Sequence, residues 1–241
     1  SVVCNHTTLD HATFLKNAAD AAKDSGGFWA AQARQHLTWT KPFTTIQSGA
    51  FKPPYKIEWF PDGELNVSAN CLDRHLGAKG DKPALIWVGD TPGEEQIFTY
   101  RQLHAEVCRW ANMLTARGVK KGDRVAIYLP MIPQAAIAML ACARLGAIHA
   151  VVFAGFSAQA LRDRIHDTGA SHVITANVGF RGGKKLPLKQ IVDEALQDTP
   201  SVQEVLVVQR TSDTVPMQTG RDIVVEPLLA QASTTHDAAP M

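Results

Sequence analysis

The chain has 241 residues, with 24 basic and 23 acidic side chains and a formal net charge of +1. This length allows one large domain or two ordinary ones. The balanced charge argues against a dedicated nucleic-acid-binding protein, which normally carries a basic excess, and the ordinary content of apolar (45%) and charged (20%) residues argues against a disordered chain.

Residues 1–50 carry apolar residues at helical spacing, and the pair Gly26-Gly27 is predicted to end the first helix. Residues 51–70 differ, because three prolines and one glycine fall within their first thirteen positions. This composition predicts an extended segment rich in turns and excludes a helix there. The sequence therefore predicts a helical and extended N-terminal segment, residues 1–70, followed by a second region, residues 71–241.

From about residue 83, predicted strands and helices alternate along the chain. The predicted helices begin at Thr99, Pro133, Ser157 and Pro187. Thr99 forms a capping box with Gln102, and proline is tolerated in a first helical turn. The predicted strands are the apolar runs 84–88, 96–98, 124–129, 148–153, 172–176 and 205–209. This alternation predicts an α/β fold with a mainly parallel sheet flanked by helices.

Residues 148–153 are almost continuously apolar, which predicts a central strand covered on both faces. With the preceding helix they form a membrane-like stretch, but its longest unbroken apolar run, 135–143, is about half of what a spanning helix needs. We therefore expect a buried helix and strand, and no membrane partner. Residues 233–241 are polar and rich in alanine, and we expect them to form an open end.

The cysteines are Cys4, Cys71, Cys108 and Cys142. Their wide spacing, without a C-x-x-C pair, indicates a reducing compartment, and no signal peptide is visible, so we expect a cytoplasmic protein. Cys108 and Cys142 fall in apolar helical patterns and are interpreted as core residues. Cys4, His6 and His11 are of metal-ligand types, but a terminus without a metal is the preferred interpretation.

Several nucleotide-binding and catalytic motifs are absent from the sequence. There is no G-x-G-x-x-G, which weakens the hypothesis of a nicotinamide-dependent oxidoreductase, and no G-x-x-x-x-G-K-[ST] or H-E-x-x-H. Ser157 lies one glycine short of a nucleophile elbow and is interpreted as a helix cap. The sequence therefore predicts no catalytic residue and no metal ligand in this chain.

Two segments at predicted strand ends are candidates for ligand binding, because open α/β sheets bind ligands beyond the carboxyl ends of their strands. The first is Arg181-Gly-Gly-Lys-Lys185, in which glycines let backbone N–H groups approach a phosphate and the cations donate charge-assisted hydrogen bonds to it. The alternative is a solvated basic loop. The second is 153–157, for which a tight strand-to-helix turn is the alternative.

Several blocks, in this order, closely resemble AMP-forming acetyl-coenzyme A synthetases of the adenylate-forming superfamily. The blocks are 59–75, 122–131, 141–147, 153–157 and 181–189. The likeness extends from residue 14 to about residue 232. It implies the first part of the large N-terminal domain of the adenylate-forming fold, with a helical N-terminal extension.

The resemblance implies a ligase that works in two steps. Acetate would attack the α-phosphate of Mg-ATP, giving acetyl-adenylate and pyrophosphate, and coenzyme A would then displace AMP. Small-molecule partners are therefore acetate, ATP and coenzyme A, with Mg²⁺ as cofactor and no nucleic acid.

The resemblance also implies a site for the nucleotide end of coenzyme A, formed by Arg181, Gly182, Gly183, Lys184, Phe153, Ala154 and Gly155. The sequence departs from the usual pattern at three places. Lys184 stands where many members carry arginine, which keeps the charge but loses the bidentate fork. Ala154 replaces a frequent glycine, and Asn177-Val178 replaces a more acidic pair.

The family's phosphate loop, acetate pocket, adenine-binding segments, metal-binding acid and C-terminal lid have no match in this sequence. We therefore expect the ATP and Mg²⁺ sites to lie in the remainder of a longer synthetase chain, and expect this chain alone to be inactive. Two alternatives stay open: a propionyl-CoA or other short-chain acyl-CoA synthetase, and a non-catalytic α/β binding module.

Overall fold

The computed structural model describes residues 9–241, and its contacts separate two compact units, one ending at Leu65 and the other comprising Asn66–Met241. The elements of the first unit are α1 (His11–Lys23), α2 (Ser25–His36), β1 (Gln47–Gly49) and β2 (Ile57–Trp59). The strands β1 and β2 pair in antiparallel register. A small core gathers Ala30, Ala33 and Phe43, and two further aromatic rings, Trp39 and Phe60, pack against it.

Asp24 separates the two helices of the first unit. Its backbone N–H donates to the carbonyl of Asp20 and ends α1, while its carboxylate accepts from the N–H of Gly27 at 2.9 Å and begins α2. The prediction that Gly26-Gly27 ends the first helix is wrong, because this cap places both glycines in the first turn of α2. Residues 51–63 contain no helix, as predicted, but a short helix begins at Val67, so the exclusion of a helix from all of residues 51–70 is wrong at its end.

The second unit alternates strands and helices. Its helices are α3 (Val67–Cys71), α4 (Leu76–Lys79), α5 (Tyr100–Ala116), α6 (Pro133–Leu145), α7 (Ala158–Thr168), α8 (Leu188–Ala195) and α9 (Glu226–Gln231). Its strands are β3 (Pro83–Val88), β4 (Glu95–Thr99), β5 (Arg124–Tyr128), β6 (Ile148–Val151), β7 (His172–Ala176), β8 (Gly179–Arg181), β9 (Lys184–Leu186), β10 (Glu204–Val208) and β11 (Asp222–Val224). The α/β prediction is confirmed, but α3, α4, α9, β8, β9 and β11 were not predicted.

Five of the described strands form a wholly parallel sheet in the order β11-β10-β7-β5-β6. The chain moves outward from β5 to β6, then returns across β5 to β7 and continues to β10. Because such crossovers are right-handed, this reversal places α6 on one face of the sheet and α7 and α8 on the other. The packing agrees: α6 packs against α5, and α7 against α8.

The helix signals of the sequence act as predicted. The side chain of Thr99 accepts from the N–H of Gln102, and the side chain of Gln102 accepts from the N–H of Thr99, which completes the capping box. Ser157 caps α7, and Cys108 and Cys142 lie in the core. None of the helices described in residues 9–241 has the length and apolar character of a membrane span.

The strand β6 lies at one edge of the sheet, so the prediction of a central strand at 148–153 is wrong. Ile148 and Val151 are more than half exposed, at 56% and 54%. An apolar run indicates that a strand has apolar faces. The place of β6 in the sheet is decided by the crossover connection that follows it, which carries the chain back over β5.

Residues 233–241 are bound along the second unit, contrary to the predicted open end. The side-chain amide of Asn66 donates to the carbonyl of Ala239 at 2.8 Å, and the N–H of Ala239 donates to the carbonyl of Arg144 at 2.8 Å. The Arg144 guanidinium donates to the carbonyl of His236 at 2.6 and 2.8 Å. Composition missed this because the bonds use backbone carbonyls of the segment, which every residue carries.

Arg144 is buried with only 3% of its surface exposed, and its charge is balanced locally. Its guanidinium donates two 2.8 Å hydrogen bonds to the carboxylate of Asp73, and His104 lies 3.4 Å from the same carboxylate. Burial alone would raise the pKa of Asp73, but hydrogen bonds from Arg144 and His104 lower it well below its usual range. Hydrogen bonds with Asp73 and then with Cys108 raise the pKa of His104 from 6.5 to about 9.

This raised pKa predicts a stability that depends on pH. The protonated His104 stabilises the fold fully below pH 6.5, and this contribution is lost as pH rises through about 9. We expect the difference in unfolding free energy between the unsubstituted protein and His104→Gln to fall by about 2–3 kcal/mol over that interval. Urea unfolding followed by circular dichroism at pH 6 and pH 9.5 measures it, and an equal difference at both values would contradict it.

Candidate active-site cavity

A cavity of about 250 Å³ opens at the carboxyl ends of the sheet strands. Its lining comes from the segments after β5, β6 and β10, from the hairpin β8–β9 and from the end of β3. The strand order reverses between β5 and β7, and loops diverge at such a point, leaving a crevice. The sheet topology therefore positions a ligand site where both candidate segments of the sequence lie.

The segment 181–185 is part of a β-hairpin, whereas the sequence predicted a loop. Gly182 and Gly183 form the two-residue turn between β8 and β9, with φ of +55° and +73°. Consecutive positive φ values are typical of a type I′ turn, which suits the twist of paired strands and favours glycine. The two glycines thus serve the turn geometry, and their backbone is open, because a Cβ at either position would meet nothing within 4 Å.

Arg181 extends from the hairpin to the segment after β6. Its guanidinium carbon lies 5.0 Å from the centre of the Phe153 ring, within cation–π distance. A Cβ at Gly155 would collide with both the guanidinium and that ring. Gly155 therefore leaves the space that this stacking occupies, and the structure brings together Arg181, Phe153 and Gly155 at one side of the cavity.

The remaining predicted site residues lie around the same cavity or beside it. Ala154 and Gly182 line the cavity, and Ala154 is buried with 5% exposure. Lys184 is exposed and pairs with Arg181 across the hairpin. Ser157 accepts from the N–H of Ala160, so its hydroxyl is used as a helix cap, as the sequence predicted.

The lysines of the resembling block 181–189 divide into two kinds. Lys185 is half exposed and forms an ion pair of 2.6 Å with Asp213. Lys189 is fully buried, with ion pairs of 2.7 Å to Asp193 and 2.6 Å to Asp222. Because a buried charge requires partners, Lys189 is committed to the interior and adds nothing to a surface site. The basic cluster that faces solvent therefore ends at Lys185.

Sequence reasoning missed Arg210, which lines the cavity just after β10. Its guanidinium carbon lies 4.9 Å from the centre of the Phe180 ring and its Nη2 atom lies 3.5 Å from the carboxylate of Asp90. The available signal was its place two residues beyond a buried strand, the same signal that identified the two predicted segments.

Within residues 9–241, no group of three or more histidine, cysteine or acidic side chains could hold a metal ion. Cys4 and His6 lie outside the described residues. The cysteines described, Cys71, Cys108 and Cys142, are free thiols. Burial raises the pKa of Cys142 to about 12, which makes it a poor nucleophile at neutral pH.

Two family models match this chain in succession. The model described as "Acetyl-coenzyme A synthetase N-terminus" matches residues 16–71, and the model described as "AMP-binding enzyme" matches residues 72–239.

Curated proteins named acetyl-coenzyme A synthetase are similar over most of the chain. The protein of Syntrophobacter fumaroxidans is 51% identical over 89% of this chain and 33% of its own length. Acetyl-coenzyme A synthetase 2 of Pseudomonas putida is 55% identical over 84% of this chain and 31% of its own length. The chain thus spans about a third of the length of these relatives.

A solved structure of acetoacetyl-CoA synthetase from Streptomyces lividans has a similar fold. It superposes with a TM-score of 0.81 at 28% identity, covering 92% of this chain and 33% of that one.

The hairpin turn gives a local prediction. Valine at position 183 would be strained, because β-branched side chains rarely adopt φ near +73°, whereas asparagine tolerates it. We expect Gly183→Val to weaken the hairpin by about 1–2 kcal/mol and to raise amide exchange in residues 179–186 roughly 5- to 30-fold. Hydrogen–deuterium exchange measures this, with Gly183→Asn as the matched control. Equal exchange in both variants would contradict the turn assignment.

Proposed function

The chain belongs to the family of AMP-binding enzymes, and from this premise we propose that the full-length protein is an acetate–CoA ligase. The observation that carries the proposal is the succession of two family matches across residues 16–239, the first of them described as the acetyl-coenzyme A synthetase N-terminus. The proposed reaction uses ATP to form acetyl-adenylate and pyrophosphate, after which coenzyme A displaces AMP.

We propose that this chain contributes to the second step by binding the nucleotide end of coenzyme A. The proposed site residues are Arg181, Gly182, Gly183, Lys184, Phe153, Ala154 and Gly155. The chemistry supports this proposal, because the nucleotide end is a polyanion, and Arg181 and Lys184 supply two cations on one cross-strand pair. The exposed backbone N–H groups of the two glycines can donate hydrogen bonds to a phosphate oxygen. The half-exposed ring of Phe153 offers a surface on which a flat group can stack.

The roles of these residues are binding and orientation. Arg181 can donate two parallel hydrogen bonds to a phosphate, while Lys184 acts as a point charge without fixed geometry. Holding the nucleotide end fixes the distance from which the thiol approaches the acyl group. Proton transfer and charge stabilisation at the reacting carbonyl belong, in this proposal, to the remainder of the synthetase chain, together with the ATP and Mg²⁺ sites.

The proposed organisation and setting follow from the same premise. Residues 1–70 form the N-terminal segment typical of acetyl-CoA synthetases and residues 71–241 the first α/β subdomain of the AMP-binding domain, which agrees with the junction between the two matched models. A cytoplasmic setting is supported by the free thiols of Cys71, Cys108 and Cys142.

A ligase for another short-chain acyl group is the second candidate. It is favoured by the solved acetoacetyl-CoA synthetase, which has the same fold as this chain and is named for a different acyl group. The two candidates differ in the acid that supports pyrophosphate release. Acetate, propionate and acetoacetate tested in parallel with the full-length protein distinguish them.

The assignment of Arg181 is tested in the full-length protein by Arg181→Ala. Removing a charged contact to phosphate costs about 1.5–3 kcal/mol, so we expect the KM for coenzyme A to rise roughly 10- to 100-fold. Acetate-dependent exchange of pyrophosphate into ATP needs no coenzyme A and should be unchanged. Arg164→Ala, at an exposed arginine of α7, is the matched control. An unchanged KM would remove Arg181 from the site.

The proposed location of the ATP site outside this chain gives a second test. The 241-residue chain alone should show no acetate-dependent release of pyrophosphate, because the proposed ATP site lies in the rest of the protein. The full-length protein, assayed in the same way, should show it. Turnover by the isolated chain would overturn this division.

A further inference from the structure

The hairpin β8–β9 presents two cross-strand pairs on opposite faces. Phe180 stands opposite Lys185, and Arg181 stands opposite Lys184. Because successive side chains of a strand point to opposite faces, the first pair lies on one face and the second pair on the other. The face with Arg181 and Lys184 carries the cations of the proposed site. The opposite face carries Phe180, which also lines the cavity, and Lys185.

The segment after β10, residues 209–213, holds this opposite face at both strands. Arg210 stacks on Phe180 of β8, with 4.9 Å between the guanidinium carbon and the ring centre. Asp213 forms an ion pair of 2.6 Å with Lys185 of β9. The segment 209–213 therefore contacts both residues of the Phe180–Lys185 pair. The contact with Phe180 is a cation–π interaction and the contact with Lys185 is an ion pair.

The segment 209–213 is itself fixed to the sheet by Asn177, at the end of β7. Asn177 is fully buried, and its amide donates to the carbonyls of Thr211 at 2.9 Å and Asp213 at 3.0 Å. Its side-chain oxygen accepts from the N–H of Arg210 at 3.0 Å. At the other end, the N–H of Gln209 donates to the carboxylate of Glu226 at 2.8 Å. Through the segment 209–213, the hairpin is thus connected to β10, which this segment follows, and to β7, which Asn177 follows.

We propose that Arg210 and Asp213 are positioning residues of the coenzyme A site: they hold the hairpin so that Arg181 and Lys184 face the nucleotide end of coenzyme A. This inference rests on the proposed function. Arg210 acts through Phe180 and Asp213 through Lys185. The ion pair of Asp213 is exposed to solvent and contributes little to overall stability, so its effect is on the orientation of the hairpin.

The test uses Asp213→Asn and Arg210→Met in the full-length protein. We expect each substitution to raise the KM for coenzyme A about 3- to 10-fold, the size expected for a site whose groups are misplaced rather than removed. Acetate-dependent ATP–pyrophosphate exchange should stay unchanged. Arg210→Lys keeps the stacked cation and should retain most of the affinity. Asp167→Asn and Arg164→Met, at exposed positions of α7, are the matched controls.

A charge exchange separates positioning from direct contact. Lys185→Asp alone places two carboxylates together and should raise the KM for coenzyme A. Combined with Asp213→Lys, it restores an ion pair of opposite sense and should return the KM toward the unsubstituted value. If Lys185 touched a phosphate itself, the double variant would stay impaired, and the proposal would be overturned.

The outcomes also separate this inference from the proposed function. If the unsubstituted protein shows no acetate-dependent exchange, the ligase proposal fails. If exchange is normal and the KM for coenzyme A is the same in Asp213→Asn and Arg210→Met, the positioning role fails. A parallel loss of exchange and of coenzyme A use also overturns that role, because it would indicate general damage to the fold.

Discussion

The reversal of strand order between β5 and β7 is the constraint on which this molecule depends. Right-handed crossovers on either side of the reversal cover both faces of the sheet with helices. The same reversal makes the chain leave β5 toward one face of the sheet and leave β6 and β7 toward the other, and a cavity opens at the carboxyl ends of the sheet strands. Residues far apart in sequence, such as Phe153, Arg181 and Arg210, become neighbours only there.

Charge is distributed in two distinct ways in the second unit. Arg144 and Lys189 are buried and form ion pairs with carboxylates, so their charges are neutralised within the fold. Arg181 instead lies over the ring of Phe153 at the cavity, where stacking orients the guanidinium without neutralising it. A stacked arginine keeps its hydrogen-bond donors for a ligand. This difference is the physical basis for the proposal that the cavity binds the nucleotide end of coenzyme A.

The hairpin beside the cavity is held by the segment after β10, which is in turn held by the sheet. Arg181 and Lys184, the two cations proposed to meet the nucleotide, lie on one face of a two-stranded hairpin, and the segment after β10 contacts the other face. Asn177 joins that segment to the buried sheet through three hydrogen bonds with backbone groups of Arg210, Thr211 and Asp213. A hairpin on its own is marginally stable in water. Its attachment to a rigid sheet supplies the orientation that binding requires.

Much of the fold was predictable, because its signals are local. Thr99 with Gln102, Ser157 and Pro133 mark helix starts through their own hydrogen bonds and dihedral angles, and the apolar runs of β5, β7 and β10 identify buried strands. Short elements that gain stability from neighbours, such as β11 and the hairpin, lack such signals. The edge position of β6 was missed for a related reason. An apolar run indicates that both faces of a strand are apolar, but it does not indicate which strands pair with it.

By itself, therefore, the sequence determined the α/β class, the order of the main elements, the family resemblance and the two segments near the cavity. Only the tertiary structure decided that Gly182-Gly183 is a hairpin turn, that Lys189 is buried while Lys184 is exposed, and that Arg210 and Asp213 contact the hairpin. The reason is physical: a residue's propensity acts within a few positions of the chain. The partner that buries or stacks a charge is chosen by the path of the whole sheet.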